Sequence, residues 1–203
     1  MKKRIFLSIL CLCFFSFLYA ERVDMKQAGA VTDGSKLNTE LINSTINRLH
    51  ANGGGTLFFP AGTYLTASIH MKSNITLELV AGAVLKFSDN FDDYLPFVEM
   101  RYEGVMMKSF QPLIYALDAE NITIKGEGML DGQGKAWWME FFRVIIDLKD
   151  HGKRNINKYQ PMFEEANDMK ALYAETNEDY HNPLDRRFMR PPFIQPIRCK
   201  NVR

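Results

Sequence analysis

The sequence predicts an all-β solenoid, in which short strands stack coil upon coil. Three observations carry that expectation. The first is the stretch from Gly53 to Phe87. Short β-favouring runs such as Thr56-Leu57-Phe58-Phe59 and Thr63-Tyr64-Leu65 alternate there with Gly, Pro, Ser and Asn. Each run is too short for a helix, and the chain must turn every few residues. The stretch lacks the Asn-Gly and Asp-Gly pairs that close tight hairpins, so a coil fits it better than a meander.

The second observation is a repeat. Lys72-Ser73-Asn74-Ile75-Thr76 is echoed by Ala119-Glu120-Asn121-Ile122-Thr123, and Cys199-Lys200-Asn201-Val202 begins a third copy. An apolar run precedes each: Ser68 to Met71, Leu113 to Leu117 and Phe193 to Ile197. The third observation is the spacing. The asparagines are 47 and 80 residues apart, but two polar, irregular segments intervene, 88–112 (25 residues) and 133–190 (58 residues). Without them both spacings become 22, since 47 − 25 = 22 and 80 − 58 = 22. A period in the low twenties suits stacked short strands. Asparagine suits the turn of each coil, because it tolerates the left-handed conformation and its amide can bond the neighbouring turn. A ladder of stacked amides is therefore expected. Two of the triplets also match glycosylation acceptors; their recurrence at turns makes them structural.

Taken in order, the chain opens with a leader. Lys2-Lys3-Arg4 precedes an apolar run from Ile5 to Leu18, and Ala20 offers a small residue for cleavage. Residues 1–20 read as a secretory signal peptide, too short to span a membrane. Cys11 and Cys13 belong to it, with no lipoprotein signal around them. Export to the periplasm or the extracellular space is expected, with no membrane span after the leader is removed. Residues 21–203 then form one domain and keep 22 of 25 basic and all 24 acidic residues, a formal charge of 22 − 24 = −2. No basic stripe favours nucleic acid. Cys199 alone remains, so no intrachain disulfide forms and stability must come from stacking.

A lead-in from Glu21 to Gly34 comes next; Val23-Asp24 and Ala28-Gly29-Ala30 are candidates for a first strand. Within 35–52, Lys36 to Ala51 reads as an amphipathic helix, with Leu37, Leu41, Ile42, Ile46 and Leu49 at helical spacing. Ser35 or Thr39 suits its start, and Asn52-Gly53 supplies a left-handed stop. A solenoid needs its first coil covered, so this helix is expected to cap it.

The segment 88–112 is a long loop, and loops of that length are usually functional or disordered. Its Asp92-Asp93 pair reads as a turn with solvated charge. Gly126 to Gly134 closes the next coil with glycines; with no Lys-Ser/Thr after it, it is not a phosphate loop. The insertion 133–190 is partly helical, with candidate helices at 137–149 and 161–175. Arg186, Arg187 and Arg190 near its end, with Trp137 and Trp138 at its start, are the candidate substrate-binding residues, since guanidinium forks clamp carboxylates. A solvated, salt-bridged loop is the plainer alternative for the arginines.

G-G-G-T-x-x-F-P-A-G-T-Y at 53–64, K-S-N-I-T-L at 72–77, R-Y-E-G at 101–104, the glycine-rich run with W-W at 126–138, and Arg190-Pro191-Pro192 together resemble the N-terminal portion of glycoside hydrolase family 28, the polygalacturonase-like pectin hydrolases. The resemblance implies a right-handed parallel β-helix of the pectin-lyase-like type. It implies inverting hydrolysis of galacturonic-acid linkages without cofactor or metal, on pectic or other acidic polysaccharide. Inversion needs a carboxylic acid and a carboxylate base about 6.5–9.5 Å apart. The family places these in an N-T-D segment and an Asp-Asp pair, followed by a Gly-His-Gly and an Arg-Ile-Lys. None is found: Asn38-Thr39 precedes Glu40, Asp92-Asp93 comes too early, and His151-Gly152 lacks a preceding glycine. The expectation is an incomplete β-helix with no catalytic residue in this chain, the catalytic coils following Arg203, so that the chain alone is inactive and self-associates. Two alternatives stay open. A non-catalytic polysaccharide-binding or adhesion β-helix would use Tyr94, Tyr102, Trp137 and Trp138 for stacking. A polysaccharide lyase of the same fold would need a calcium-binding carboxylate cluster.

Overall fold

The computed structural model describes residues 20–102, 105–151, 158–168 and 188–203. The leader, apart from Ala20, and Arg186 and Arg187 lie outside the described residues. The strands are β1 (Glu21–Asp24), β2 (Gly55–Phe59), β3 (Gly62–Thr66), β4 (Ile69–Met71), β5 (Ile75–Leu79), β6 (Ala83–Phe87), β7 (Val98–Tyr102), β8 (Val105–Ser109), β9 (Ile114–Leu117), β10 (Glu120–Gly126), β11 (Met129–Asp131), β12 (Ile194–Ile197) and β13 (Lys200–Val202). The helices are α1 (Thr39–Ala51), α2 (Gly134–His151) and α3 (Gln160–Ala166), with a 3-10 turn at Phe91–Tyr94.

Successive circuits of the chain feed three parallel sheets. The first has the order β1-β2-β5-β10-β13, the second β3-β6-β11 and the third β4-β9-β12. Each coil thus lays one strand on each sheet, which is a parallel β-helix. Register follows the repeat: Leu57 lies beside Leu77, and Leu77 beside Ile124. Alternation does the rest, because successive side chains point to opposite faces. Leu57, Phe59, Ile75, Leu77, Leu79, Leu85 and Phe87 turn inward and are buried, while Thr56, Phe58, Thr76 and Glu78 between them stay partly open. Each large inward side chain contributes about 1.5–3 kcal/mol. On the outer face Arg22 lies over the Phe58 ring and pairs with Glu78 at 3.1 Å, and Lys125 approaches the same carboxylate.

The asparagine ladder forms as the repeat predicts. Asn74, Asn121 and Asn201 have φ of 65°, 57° and 52°. Asn201 Nδ2 donates to Asn121 Oδ1 at 3.0 Å, and Asn121 Nδ2 donates to Asn74 Oδ1 at 2.8 Å. The coil before them carries Gly54 at the matching position, because a Cβ there would lie 2.5 Å from Asn74 Cβ. A second rung joins the same coils. Arg198 and Asp118, both left-handed, form a two-pronged ion pair at 2.6 and 2.8 Å.

Helix α1 starts at Thr39, three residues later than the periodicity suggests, and neither Ser35 nor Thr39 caps it. Tertiary contacts claim those groups first. Asn38, the residue before the helix, uses its amide on the backbone of Val31, accepting from its N–H at 2.8 Å and donating to its carbonyl at 2.9 Å. Thr39 Oγ1 accepts from the Ala67 N–H at 2.7 Å. The stop is as expected, with Gly53 at φ 95° after Asn52. Ile42, Ile46 and Leu49 are buried, and the helix packs on β2, β4 and β5. Strand β4 is the outermost of its sheet, and an open strand edge invites pairing. Asn43 occupies that edge as a neighbouring strand would, donating to Ser68 O and accepting from His70 N, both at 2.9 Å.

Of the lead-in candidates, Val23-Asp24 lies in β1, whereas Ala28-Gly29 turns. The turn is fixed by the Ala28 N–H, which donates to Asp24 O at 2.8 Å.

Candidate functional site

The two long segments leave the coil at one corner. One departs after β6 and returns at β9; the other departs after β11 and returns at β12. Both cross from the second sheet to the third, where the first coil needs only Ala67 and Ser68 between β3 and β4. Stacking places the excursions side by side, and they build an outwork on the solenoid.

The first excursion differs from the expected loop. It holds the 3-10 turn and an antiparallel hairpin, β7 with β8. The hairpin docks on the outer face of the third sheet, on a column formed by His70, Tyr115 and Gln195. Tyr115 Oη donates to Glu99 O at 3.0 Å, Gln195 Nε2 donates to Arg101 O at 2.6 Å, and the His70 ring meets Gln111 Oε1 at 2.7 Å. The Asp92-Asp93 pair is a turn as expected; Asp92 is exposed, and both carboxylates also have partners. Asp93 accepts from Ser88 and Asn90, and Asp92 accepts from Lys158 and Tyr159 of the second excursion. Those donors, Lys158 before Tyr159, hold the Asp92 carboxyl below its usual range. Asn167 clamps β8 from the other side, accepting from Lys108 N at 2.7 Å and donating to Lys108 O at 2.9 Å.

Between the excursions lies an aromatic cluster. Trp137 sits 4.4 Å from Phe91 and 5.3 Å from both Tyr94 and Phe110, ring centre to ring centre. Phe110 also meets Phe97, Tyr159 and Phe163 edge-on. Edge-to-face pairs add about 0.5–1.5 kcal/mol each beyond their burial. The cluster moves two expected stacking aromatics inside, Trp137 and Tyr94. Trp137 is 3% exposed and Tyr94 fully buried, and Tyr102 packs partly buried on the core. Burial raises the Tyr94 hydroxyl well above its ordinary value, and it donates to Ser88 O at 2.8 Å. The Trp137 and Tyr94 rings join the excursions and offer no face to a ligand.

Trp138 and Arg190 are brought together at the rim. Trp138 is 44% exposed, with Phe142 stacked on its ring at 5.2 Å. The Arg190 guanidinium lies 3.8 Å above the Trp138 ring centre and 5.1 Å from that of Phe141. A guanidinium over such faces is attracted by the ring quadrupole. Among the described residues no carboxylate pairs with Arg190, and its buried Nε–H has no hydrogen-bond partner. A buried donor left open costs about 1–3 kcal/mol, and Ser109 Oγ, Trp137 Nε1 and Gln195 Oε1 are buried without a partner as well.

An open pocket of about 550 Å³ is lined by Asp89, Asp131, Gln133, Lys135 and Met139 among others. The sequence reading missed these residues. The signal available was Asp131-Gly132-Gln133-Gly134, where the chain leaves β11 and Gln133 takes φ 46°. Asp131 fixes that turn, accepting from Gln133 N at 3.1 Å and Gln133 Nε2 at 2.6 Å. Among the described residues no three His, Cys, Asp or Glu side chains converge to hold a metal ion. No described helix is long and apolar enough to cross a membrane.

No family model matches the chain. Individual proteins do. It is 35% identical over 145 residues to an exo-poly-α-D-galacturonosidase of Dickeya chrysanthemi, covering 68% of this chain and 22% of that one. It is 30% identical over 131 residues to the "Probable polygalacturonase" of Vitis vinifera, covering 60% and 26%. The crystal structure of a hyperthermoactive exopolygalacturonase from Thermotoga maritima superposes with a TM-score of 0.68 at 34% identity, over 90% of this chain and 40% of that one. The chain thus spans about a quarter of the length of the curated relatives it matches. In sequence and in fold, over that part of their length, the chain resembles the polygalacturonases of glycoside hydrolase family 28.

Proposed function

We propose that this chain forms the first coils, and one wall of the substrate cleft, of an exported hydrolase acting on pectic polysaccharide. The reaction is inverting hydrolysis of galacturonic-acid linkages, and the coil is right-handed. Helix α1 caps the first coil, a role supported by the bonds from Asn43 and Thr39 to the backbone beside β4. The observation that carries the reading is the match to the Thermotoga maritima exopolygalacturonase, in which sequence and fold agree over 90% of the chain.

Arg190 supplies the chemistry that can be named here. Its guanidinium itself lies on Trp138 and Phe141, so it is pre-organised and loses little freedom on binding. A galacturonate carboxylate laid against it gains charge-assisted hydrogen bonds in a fixed plane. Arg186 and Arg187 belong to the same proposed carboxylate-binding group. The acid and base of hydrolysis are not assigned to any residue of this chain, which contains no N-T-D, Gly-His-Gly or Arg-Ile-Lys. Its own residues bind and orient, and the 203 residues alone are expected to release no reducing sugar from polygalacturonate. That same absence favours a second reading, a polysaccharide-binding β-helix without hydrolysis. The exposed apolar side chains Met129 on β11 and Phe193, Ile194 and Val202 on the following coil support self-association.

The test is Arg190→Ala, read by calorimetric titration with oligogalacturonate. Loss of one charged hydrogen-bonding group predicts affinity lower by about tenfold or more, with neutral oligosaccharides unaffected. An unchanged affinity for the acidic sugar would make Arg190 purely structural. Reducing-sugar release that depends on an acid within 21–203 would mean that the catalytic pair is present after all.

A further inference from the structure

We infer that Asn52 is a site of spontaneous deamidation, held in check by the C-terminal turn of α1 and released when that turn opens. Asn52-Gly53 is the one Asn-Gly pair in the chain. Asparagine is among the thermolabile residues, and a following glycine, with no Cβ, leaves its own nitrogen open to the neighbouring side chain. The reaction needs only water. The Gly53 nitrogen bonds to Asn52 Cγ, its proton leaves with the side-chain amide as ammonia, and a succinimide ring closes. Water then opens the ring at either carbonyl, giving aspartate or isoaspartate at position 52. Asn52 is exposed, so water reaches its amide. Asn38, Asn43 and Asn121 differ: larger residues follow them, and bonds to the backbone or the ladder hold their amides.

The fold restrains the attacking atom. Gly53 N donates to His50 O at 3.0 Å, and Gly54 N donates to Leu49 O at 2.8 Å. That pair of bonds closes a helix through a left-handed glycine, and Gly53 has φ 95°. Ring closure requires the Gly53 nitrogen to leave His50 O and turn towards Asn52 Cγ, so the turn must open first. Its opening is local: Ala51, Asn52 and Gly53 are all exposed, and helix ends fray at far lower cost than a core unfolds.

The product damages the joint between α1 and β2. Isoaspartate puts one more carbon into the main chain just before Gly53 and Gly54. Gly54 fits so closely that a Cβ there would lie 2.5 Å from Asn74 Cβ, and Gly55 N donates to Asn74 O at 3.0 Å. A longer main chain displaces both glycines from those seats. Either product also sets a carboxylate at the negative end of the helix dipole, which is unfavourable, and Arg48 and His50 in the last turn offset only part of it.

The experiment is incubation of the dilute 203-residue chain in mildly alkaline buffer across a series of urea concentrations. Modification at Asn52 is read by peptide mass spectrometry, and global unfolding by circular dichroism on the same samples. In fully unfolding urea the Asn52 peptide should convert at least about tenfold faster than in buffer, and the rate should already rise below the unfolding transition. Chain carrying isoaspartate at position 52, separated by ion exchange, should unfold at a lower urea midpoint. Asn52→Gln, which keeps the amide on a longer arm, should leave this peptide unmodified and the midpoint constant on ageing. Equal rates in buffer and in unfolding urea overturn the restraint. A rate that rises only with the global transition overturns the local opening. An unchanged midpoint overturns the damage to the joint, and no modification in unfolding urea overturns the site itself.

Discussion

Asn121 shows how much a single residue carries here. It takes φ 57°, donates to the coil before it and accepts from the coil after it. Asn121→Ala loses two hydrogen bonds of about 0.5–1.5 kcal/mol each and places a Cβ in a left-handed conformation at about 1–2 kcal/mol. Asn121→Gly loses the same bonds but relieves the backbone. The glycine variant should therefore be the more stable of the two in urea denaturation, by about 1 kcal/mol; the reverse order would show that backbone strain does not govern this turn. The ladder was legible because it is local and repeated: the same triplet after the same kind of strand marks the same turn. Arg190 was legible only as a charge. Its partners Trp138 and Phe141 come from the far end of the insertion, and no local pattern joins them.

At the scale of elements, the sequence located both excursions and the helices of the second, where Gly134–His151 covers the expected 137–149 and Gln160–Ala166 overlaps the start of the expected 161–175, but not the hairpin of the first. Strands β7 and β8 pair antiparallel although no tight-turn signature joins them in the sequence, because docking on Tyr115 and Gln195 stabilises a pair of strands that is marginal alone. Asp92 illustrates the same limit. It reads as a solvated turn residue and is exposed, but its partners Lys158 and Tyr159 come from the other excursion, where no local pattern announces them. That contact has a pH signature. The folded carboxyl titrates below its unfolded value, so its stabilisation is complete above the unfolded pKa of about 3.9 and is lost as pH falls through the lower folded value. Trp137 packs at this junction and reports on it. Its fluorescence should hold steady from pH 7 to about 4.5 and shift to the red below about 3.5. In Asp92→Asn the acid shift should shrink. A shift centred near pH 6.5 would instead implicate a histidine.

For the whole molecule, the coil and the outwork divide the work. The solenoid sets register through stacked leucines and asparagines, and its turns let two excursions leave one corner together. Their shared aromatic cluster adjoins the segment on which the half-buried Arg190 lies against Trp138 and Phe141. The coil was predictable because a periodic fold writes its period into the sequence. The corner was not, because it is made by contacts between segments that the period skips. The central claim, that this rim meets uronate carboxylates, is tested most directly by titrating the chain with trigalacturonate and with its methyl ester, which keeps the rings and removes the charge. The account predicts that the acid binds at least about tenfold more tightly at low salt and that the difference shrinks as salt rises. Equal affinity for the two, independent of salt, would contradict it.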